Sequence, residues 1–78
     1  MKIELQDFVE AFARELEIDP ANIQADTKLD DIPEWDSLGM VRFLLACDEK
    51  FEVELPAAEA SQATTIADLK QKVEGAAN

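Results

Sequence analysis

The chain is predicted to be all-α: a small bundle of three main helices and one short one, with a long loop between the first and second. Three observations carry this. Apolar residues recur at helical spacing in three separate segments, led by Phe8, Phe43 and Leu69. The only run that alternates like a strand is Phe51-Glu52-Val53-Glu54-Leu55, and nothing else in the chain could pair with it. Finally, 78 residues with one cysteine make a single domain, 1–78, whose core of about residues 3–74 comes from apolar side chains alone.

The first helix is expected over about residues 3–17. Leu5, Phe8, Val9, Phe12 and Leu16 fall on one face, and Glu4, Asp7, Glu10, Arg14 and Glu15 occupy the rest. Asp19-Pro20 stops it, because the residue before a proline is pushed out of the helical region. Residues 18–35 have no sustained period, so they read as a long loop pinned by four apolar anchors, Ile18, Ile23, Leu29 and Ile32.

The second helix is expected over 37–51, capped by Asp36. The strand-like run after it reads as an extended connector. Pro56, suited to a first helical position, opens a short third helix over 57–62. The fourth begins near Thr65, where Thr65 and Asp68 have capping-box spacing, with Ile66, Leu69 and Val73 as its apolar stripe. Residues 75–78 read as a frayed end.

The second helix has more apolar surface than a core face needs. Phe43, Cys47, Met40, Phe51 and Leu44 cluster within about 100° of arc, and Leu38, Val41 and Leu45 extend it by about another 120°. Arg42 and Glu49 border this second stripe, and Ser37 lies near its junction with the first. One reading leaves the second stripe exposed for a partner; the other folds the 18–35 loop over it.

Charge narrows the partners. With 18 acidic and 7 basic residues the net charge is −11, which disfavours nucleic acid and anionic membranes and favours proteins with basic patches. Met1-Lys2-Ile3-Glu4 has no signal-peptide apolar region, and no stretch approaches the roughly 20 apolar residues of a membrane span, so the chain reads as cytoplasmic. Asp30, Asp31, Glu34 and Asp36 lack the spacing of a calcium loop, so no metal site is expected. Cys47 lies on the core stripe and reads as an inert buried thiol.

Ser37 is the residue with chemical promise. The chain has no histidine to activate it, so a hydrolytic nucleophile is a poor reading. An attachment point fits better. A phosphodiester on its oxygen would lie against open N–H groups of the first turn, and Gly39 would let the backbone be approached closely.

Asp36-Ser37-Leu38 opening a helix, followed by Val41, Leu44 and the Glu49-Lys50-Phe51 helix end, resembles the acyl and peptidyl carrier family. Phe51 to Pro56 is similar to that family's connector, and Thr64-Thr65-Ile66-Ala67-Asp68-Leu69 to its fourth-helix start. The resemblance implies the family's four-helix fold and no enzymatic activity. It also implies a 4′-phosphopantetheine arm from coenzyme A on Ser37, flanked by Asp36 and Leu38, holding acyl or aminoacyl cargo as a thioester.

Implied partners are a phosphopantetheinyl transferase, a loading enzyme (ligase, adenylation enzyme or acyltransferase) and downstream synthases. The expected docking face is Trp35, Leu38, Val41, Arg42, Leu45, Asp48 and Glu49 on a monomer. Trp35 also reads as a packed loop residue. Arg42 and Gly39 stand where fatty-acid carriers often have acids, the third helix is poor in acids, and Ala63 replaces a bulky aliphatic. These departures point to a dedicated carrier of a specialised pathway. A fatty-acid-synthesis carrier and an unmodified acidic helical adaptor are the alternatives.

Overall fold

The structure, a computed structural model, describes residues 2–76. It contains α1 (Leu5–Leu16), α2 (Ser37–Phe51), the single turn α3 (Ala57–Ala60) and α4 (Ile66–Ala76). Among the described residues there is no strand; the Phe51-to-Leu55 run is an extended connector, as expected. Its Val53 and Leu55 are buried while Glu52 and Glu54 face water, so the alternation reflects a connector lying against the core.

α1 packs on α2 and α4, and α3 closes the far side against α2 and α4. Phe8, Phe12, Phe43, Leu29, Ile66, Leu69, Val53, Val73 and Cys47 form the fully enclosed centre. Burial of such side chains is worth about 1.5–3 kcal/mol each before the cost of ordering the chain.

Several expectations need correction. α1 starts at Leu5, not Ile3. Ile3 is buried from outside the helix, and Leu5, expected on the core face, is 40% exposed. Ala11 and Ala13 are buried instead, because small side chains let α1 approach its neighbours closely. α1 also ends before the proline acts: Glu17 turns left-handed (φ 57°) and the Ile18 N–H bonds back to the Ala13 carbonyl at 2.9 Å. Pro20 opens a short 3₁₀ turn, Pro20–Asn22.

α3 stops at Ala60, two residues short of expectation, where Ser61 takes over the Ala57 carbonyl in a closing turn. α4 includes Gly75 and Ala76, which were expected to fray; the rest of that expected end, residues 77–78, lies outside the described residues. On α2 only Phe43, Cys47 and Gly39 are fully buried, whereas Met40, Leu44 and Phe51 are half-buried at the core margin. All five expected core-face residues meet the core, three of them at its margin, because a bundle this small fully encloses only a narrow strip of each helix.

The loop of residues 18–35 is anchored as expected by buried Ile23, Leu29 and Ile32, with Ile18 packed at the margin. A second 3₁₀ turn, Leu29–Asp31, lies within it. The loop also clamps the start of α4. Leu29 N–H bonds the Thr64 carbonyl at 2.9 Å, while Thr27 and Ala25 carbonyls accept from Ile66 and Ala67 at 3.0 and 2.9 Å. Thr65 Oγ1 accepts from Asp68 N–H at 3.1 Å. Asp68 replies to Thr64 N–H at 2.9 Å, one residue before the capping threonine.

The N-terminal segment is held by Glu74, whose Oε2 accepts from the Ile3 N–H at 2.7 Å and from Lys70 Nζ at 3.2 Å. The backbone bond first, and Lys70 second, hold this carboxyl below the usual carboxylate range. A depressed carboxylate stabilises the fold above its ordinary pKa, and that contribution is lost as pH falls through the folded value. Urea midpoints of the parent chain and Glu74→Gln should therefore differ at neutral pH and converge under acid. A gap that persists unchanged into acid would assign Glu74 a role of shape alone.

Candidate functional site at the head of the second helix

Asp36 turns the chain into α2 from an extended conformation, and its Oδ1 accepts from the Gly39 N–H at 2.8 Å. Its own carbonyl accepts from the Met40 N–H at 2.8 Å. Such a cap contributes about 1 kcal/mol. Among the described residues the amides of Ser37 and Leu38 find no acceptor, and the Ser37 side chain is exposed. An exposed hydroxyl thus stands beside open N–H groups at the positive end of a 15-residue helix. That donor set fits a phosphodiester oxygen.

Gly39 has a different purpose from the one the sequence suggested. A Cβ there would overlap the Glu34 carbonyl oxygen and stand 2.9 Å from Leu16 Cδ2. The close approach is made by the protein's own loop, not by a group on Ser37. This contact seats the loop end and α1 against the first turn of α2.

Trp35 is half-buried, with its N–H on the Ile32 carbonyl at 3.0 Å. Its ring centroid lies 5.4 Å from Phe12 and 5.9 Å from Phe43. The packing alternative for Trp35 therefore holds, although one edge of the residue still reaches the surface. Trp35, Asp36, Ser37, Met40 and Ser61 line an open groove of about 290 Å³. On the other side of Asp36, Leu38 and Arg42 share a recess of about 170 Å³ with Leu16, Glu34 and Gly39. Met40, Ser61 and Glu34 were missed by sequence reasoning. Ser61 had no local signal, since only the packing of α3 on α2 brings it beside Ser37.

The second apolar stripe is uncovered: Leu38 is 68% exposed, Leu45 60% and Val41 47%. The loop does not fold over it, because its apolar anchors are spent on the core. Asp48 continues this line at helical spacing, and Arg42 and Glu49 flank it, all three exposed. Among the described residues the only ion pair is Lys70–Glu74, so none of these charges is engaged. Ala63, small as it is, still packs at the core margin.

Cys47 is fully enclosed, and burial pushes its thiol up to about 12. A thiol so protonated and so covered has no nucleophilic use at neutral pH. Among the described residues no three metal-ligating side chains converge.

Residues 6–73 match the family described as phosphopantetheine attachment site. The chain is also similar to the acyl carrier protein of Campylobacter curvus (strain 525.92), with 34% identity over 87% of this chain and 88% of the relative. That of Campylobacter concisus (strain 13826) is 32% identical over 88% and 90%. That of Wolinella succinogenes is 29% identical over 87% and 90%.

The chain belongs to the phosphopantetheine-attachment family of small helical carriers. It is not an enzyme; it bears a covalent 4′-phosphopantetheine and works with a phosphopantetheinyl transferase and acyl-handling enzymes. Among the described residues no helix is long and apolar enough to cross a membrane.

Adding one methyl at Gly39 tests the seating of the site. Gly39→Ala should lower stability by about 1–3 kcal/mol, the usual cost of overpacking. Urea titration measures this. A neutral effect would mean that the Glu34 turn yields freely.

Proposed function

We propose that Ser37 bears the arm and that the protein is a freestanding, monomeric, cytoplasmic carrier of an acyl or aminoacyl group for a specialised pathway. One observation carries the assignment: an exposed Ser37 hydroxyl beside open amides at the start of α2, in a chain of a family defined by phosphopantetheine attachment. On modification, Ser37 Oγ forms the phosphodiester, its proton goes to a base on the transferase, and the nucleotide half of coenzyme A leaves. The arm, once in place, supplies a terminal thiol that holds cargo in activated form.

The protein's own residues do the rest. The amides of Ser37 and Leu38 and the dipole of α2 favour the phosphodiester charge. Asp36 fixes the first turn through Gly39, so Ser37 is presented on a rigid element. Leu38, Val41 and Leu45 offer an apolar stripe to a visiting enzyme, with Asp36, Asp48 and Glu49 as acidic contacts. The matching surface has an apolar recess, basic side chains for the acids, and an acidic one for Arg42.

Arg42 supports the specialised reading. It is exposed, without a partner among the described residues, and places positive charge in the recess it shares with Leu38, in a chain with net charge −11. Gly39 no longer supports that reading, since the contact with Glu34 accounts for it. The free buried Cys47 is compatible with a reducing cytoplasm.

Intact mass after incubation with coenzyme A and several promiscuous transferases tests the attachment. The parent chain should gain one phosphopantetheine group and Ser37→Ala none, with circular dichroism unchanged. A parent chain inert to every transferase would overturn the reading. Arg42→Glu should raise the KM of the cognate loading enzyme for this carrier roughly tenfold, equivalent to about 1.4 kcal/mol, mainly through binding. Unchanged kinetics would place Arg42 outside the interface.

A further inference from the structure

We propose that Gly39 is a positioning residue for the modification of Ser37. Carrying no side chain, it lets the backbone of Glu34 rest on the first turn of α2, and that contact fixes where the Ser37 hydroxyl is presented to the transferase. This rests on Ser37 as the attachment point.

Helix geometry gives no reason for a glycine here. Gly39 lies inside α2 and its φ is negative, so other residues could adopt its backbone. Glycine is a poor helix former, and it weakens the first turn of the very helix that presents Ser37. Space supplies the reason. A Cβ at this position would overlap the Glu34 carbonyl oxygen, 3.3 Å from the Glu34 carbonyl carbon and 2.9 Å from Leu16 Cδ2. Leu16 Cδ2 ends a side chain that can change rotamer, whereas the Glu34 carbonyl belongs to the backbone. Gly75, the other glycine, has nothing within 4 Å of its Cβ position.

Short links tie this contact to Ser37. On the loop side, Glu34 is followed by Trp35, whose ring lies 5.4 Å from Phe12 and 5.9 Å from Phe43 between centroids. The Trp35 N–H is held by the Ile32 carbonyl at 3.0 Å, so this segment resists displacement. On the helix side, Asp36 Oδ1 accepts from the Gly39 N–H and the Asp36 carbonyl from the Met40 N–H, both at 2.8 Å. Glu34, Asp36 and Gly39 thus bracket Ser37 and Leu38. An added methyl has to lift Glu34 or tilt the first turn, and either movement strains the Asp36–Gly39 bond.

The transfer is sensitive to such movement. Ser37 Oγ must bond the phosphorus of the pantetheine half in line as the bond to the nucleotide half breaks and the hydroxyl proton passes to a base of the transferase. A misplacement of about 1 Å can cost about 100-fold in rate. The apolar stripe of Leu38, Val41 and Leu45 stays available for docking, so the loss falls on kcat and not on KM.

The test is the initial rate of phosphopantetheine transfer to the full apo chain, read by intact mass with coenzyme A and a promiscuous transferase. It is run where circular dichroism shows each variant folded. Gly39→Ala should lower kcat about 10–100-fold, with KM within about threefold of the parent. Val73→Ala, which removes core atoms on α4, is also destabilising but should keep the parent kcat, as should Gly75→Ala. Glu34→Gly and Glu34→Ala lose the same carboxylate, but only glycine frees the backbone that rests on Gly39. Glu34→Gly should therefore have the lower kcat.

A folded Gly39→Ala with the parent kcat would overturn this inference and leave the carrier reading intact. So would a rise in KM alone, or an equal fall of kcat in Val73→Ala. If Gly39→Ala does not fold, the Glu34 pair decides: equal kcat in the two variants overturns the inference. A parent chain that gains no mass would overturn both readings.

Discussion

The ring of Phe43 meets Phe8 at 5.4 Å, Phe12 at 5.2 Å and Trp35 at 5.9 Å, so α1, the end of the long loop and α2 converge on one side chain. Aromatic pairs at such angles contribute about 0.5–1.5 kcal/mol each beyond the area they bury. In a domain whose total stability is about 4–12 kcal/mol, that cluster is a large fraction of what holds the fold. Because Trp35 belongs to it and Asp36 and Ser37 follow directly, the position of Ser37 is set by the core. The chain carries its exposed site two residues from a fully packed interior.

The same helix supplies core and surface. Phe43 and Cys47 point inward without exposure, while Leu38, Val41 and Leu45 lie open on another face. A domain of 78 residues buries only part of the surface it could, so an apolar excess on one helix must remain in water unless a partner covers it. The net charge of −11 keeps such a surface soluble at some cost in self-repulsion. The left-handed residues that end α1 and α2, Glu17 and Glu52, are a second cost, carried where glycine is the usual choice.

Much of the site was readable because its signals are local. Asp36 caps a helix through bonds within its own first turn, and the apolar period of α2 requires nothing from elsewhere in the chain. The loop anchors Ile23, Leu29 and Ile32 stood out as isolated apolar residues in polar sequence, and burial was their only plausible use. Leu5 failed for the opposite reason: it has the right spacing, but at the first position of α1 it stays 40% exposed while Ile3, outside the helix, is buried. Gly39 was legible as a point of close approach, yet spacing could not say what approaches.

The sequence by itself determined the four helices, the capped serine and the unmatched charge of Arg42, because helical period, capping and composition act over a few residues. Tertiary structure decided which faces α2 buries, what lies against Gly39, and that Ser61 shares a groove with Ser37. It also packed Trp35 against Phe12 and Phe43 while leaving part of the residue at the surface. Those outcomes depend on how segments far apart in sequence share a limited volume, and that competition for space is settled only when all the helices are packed together.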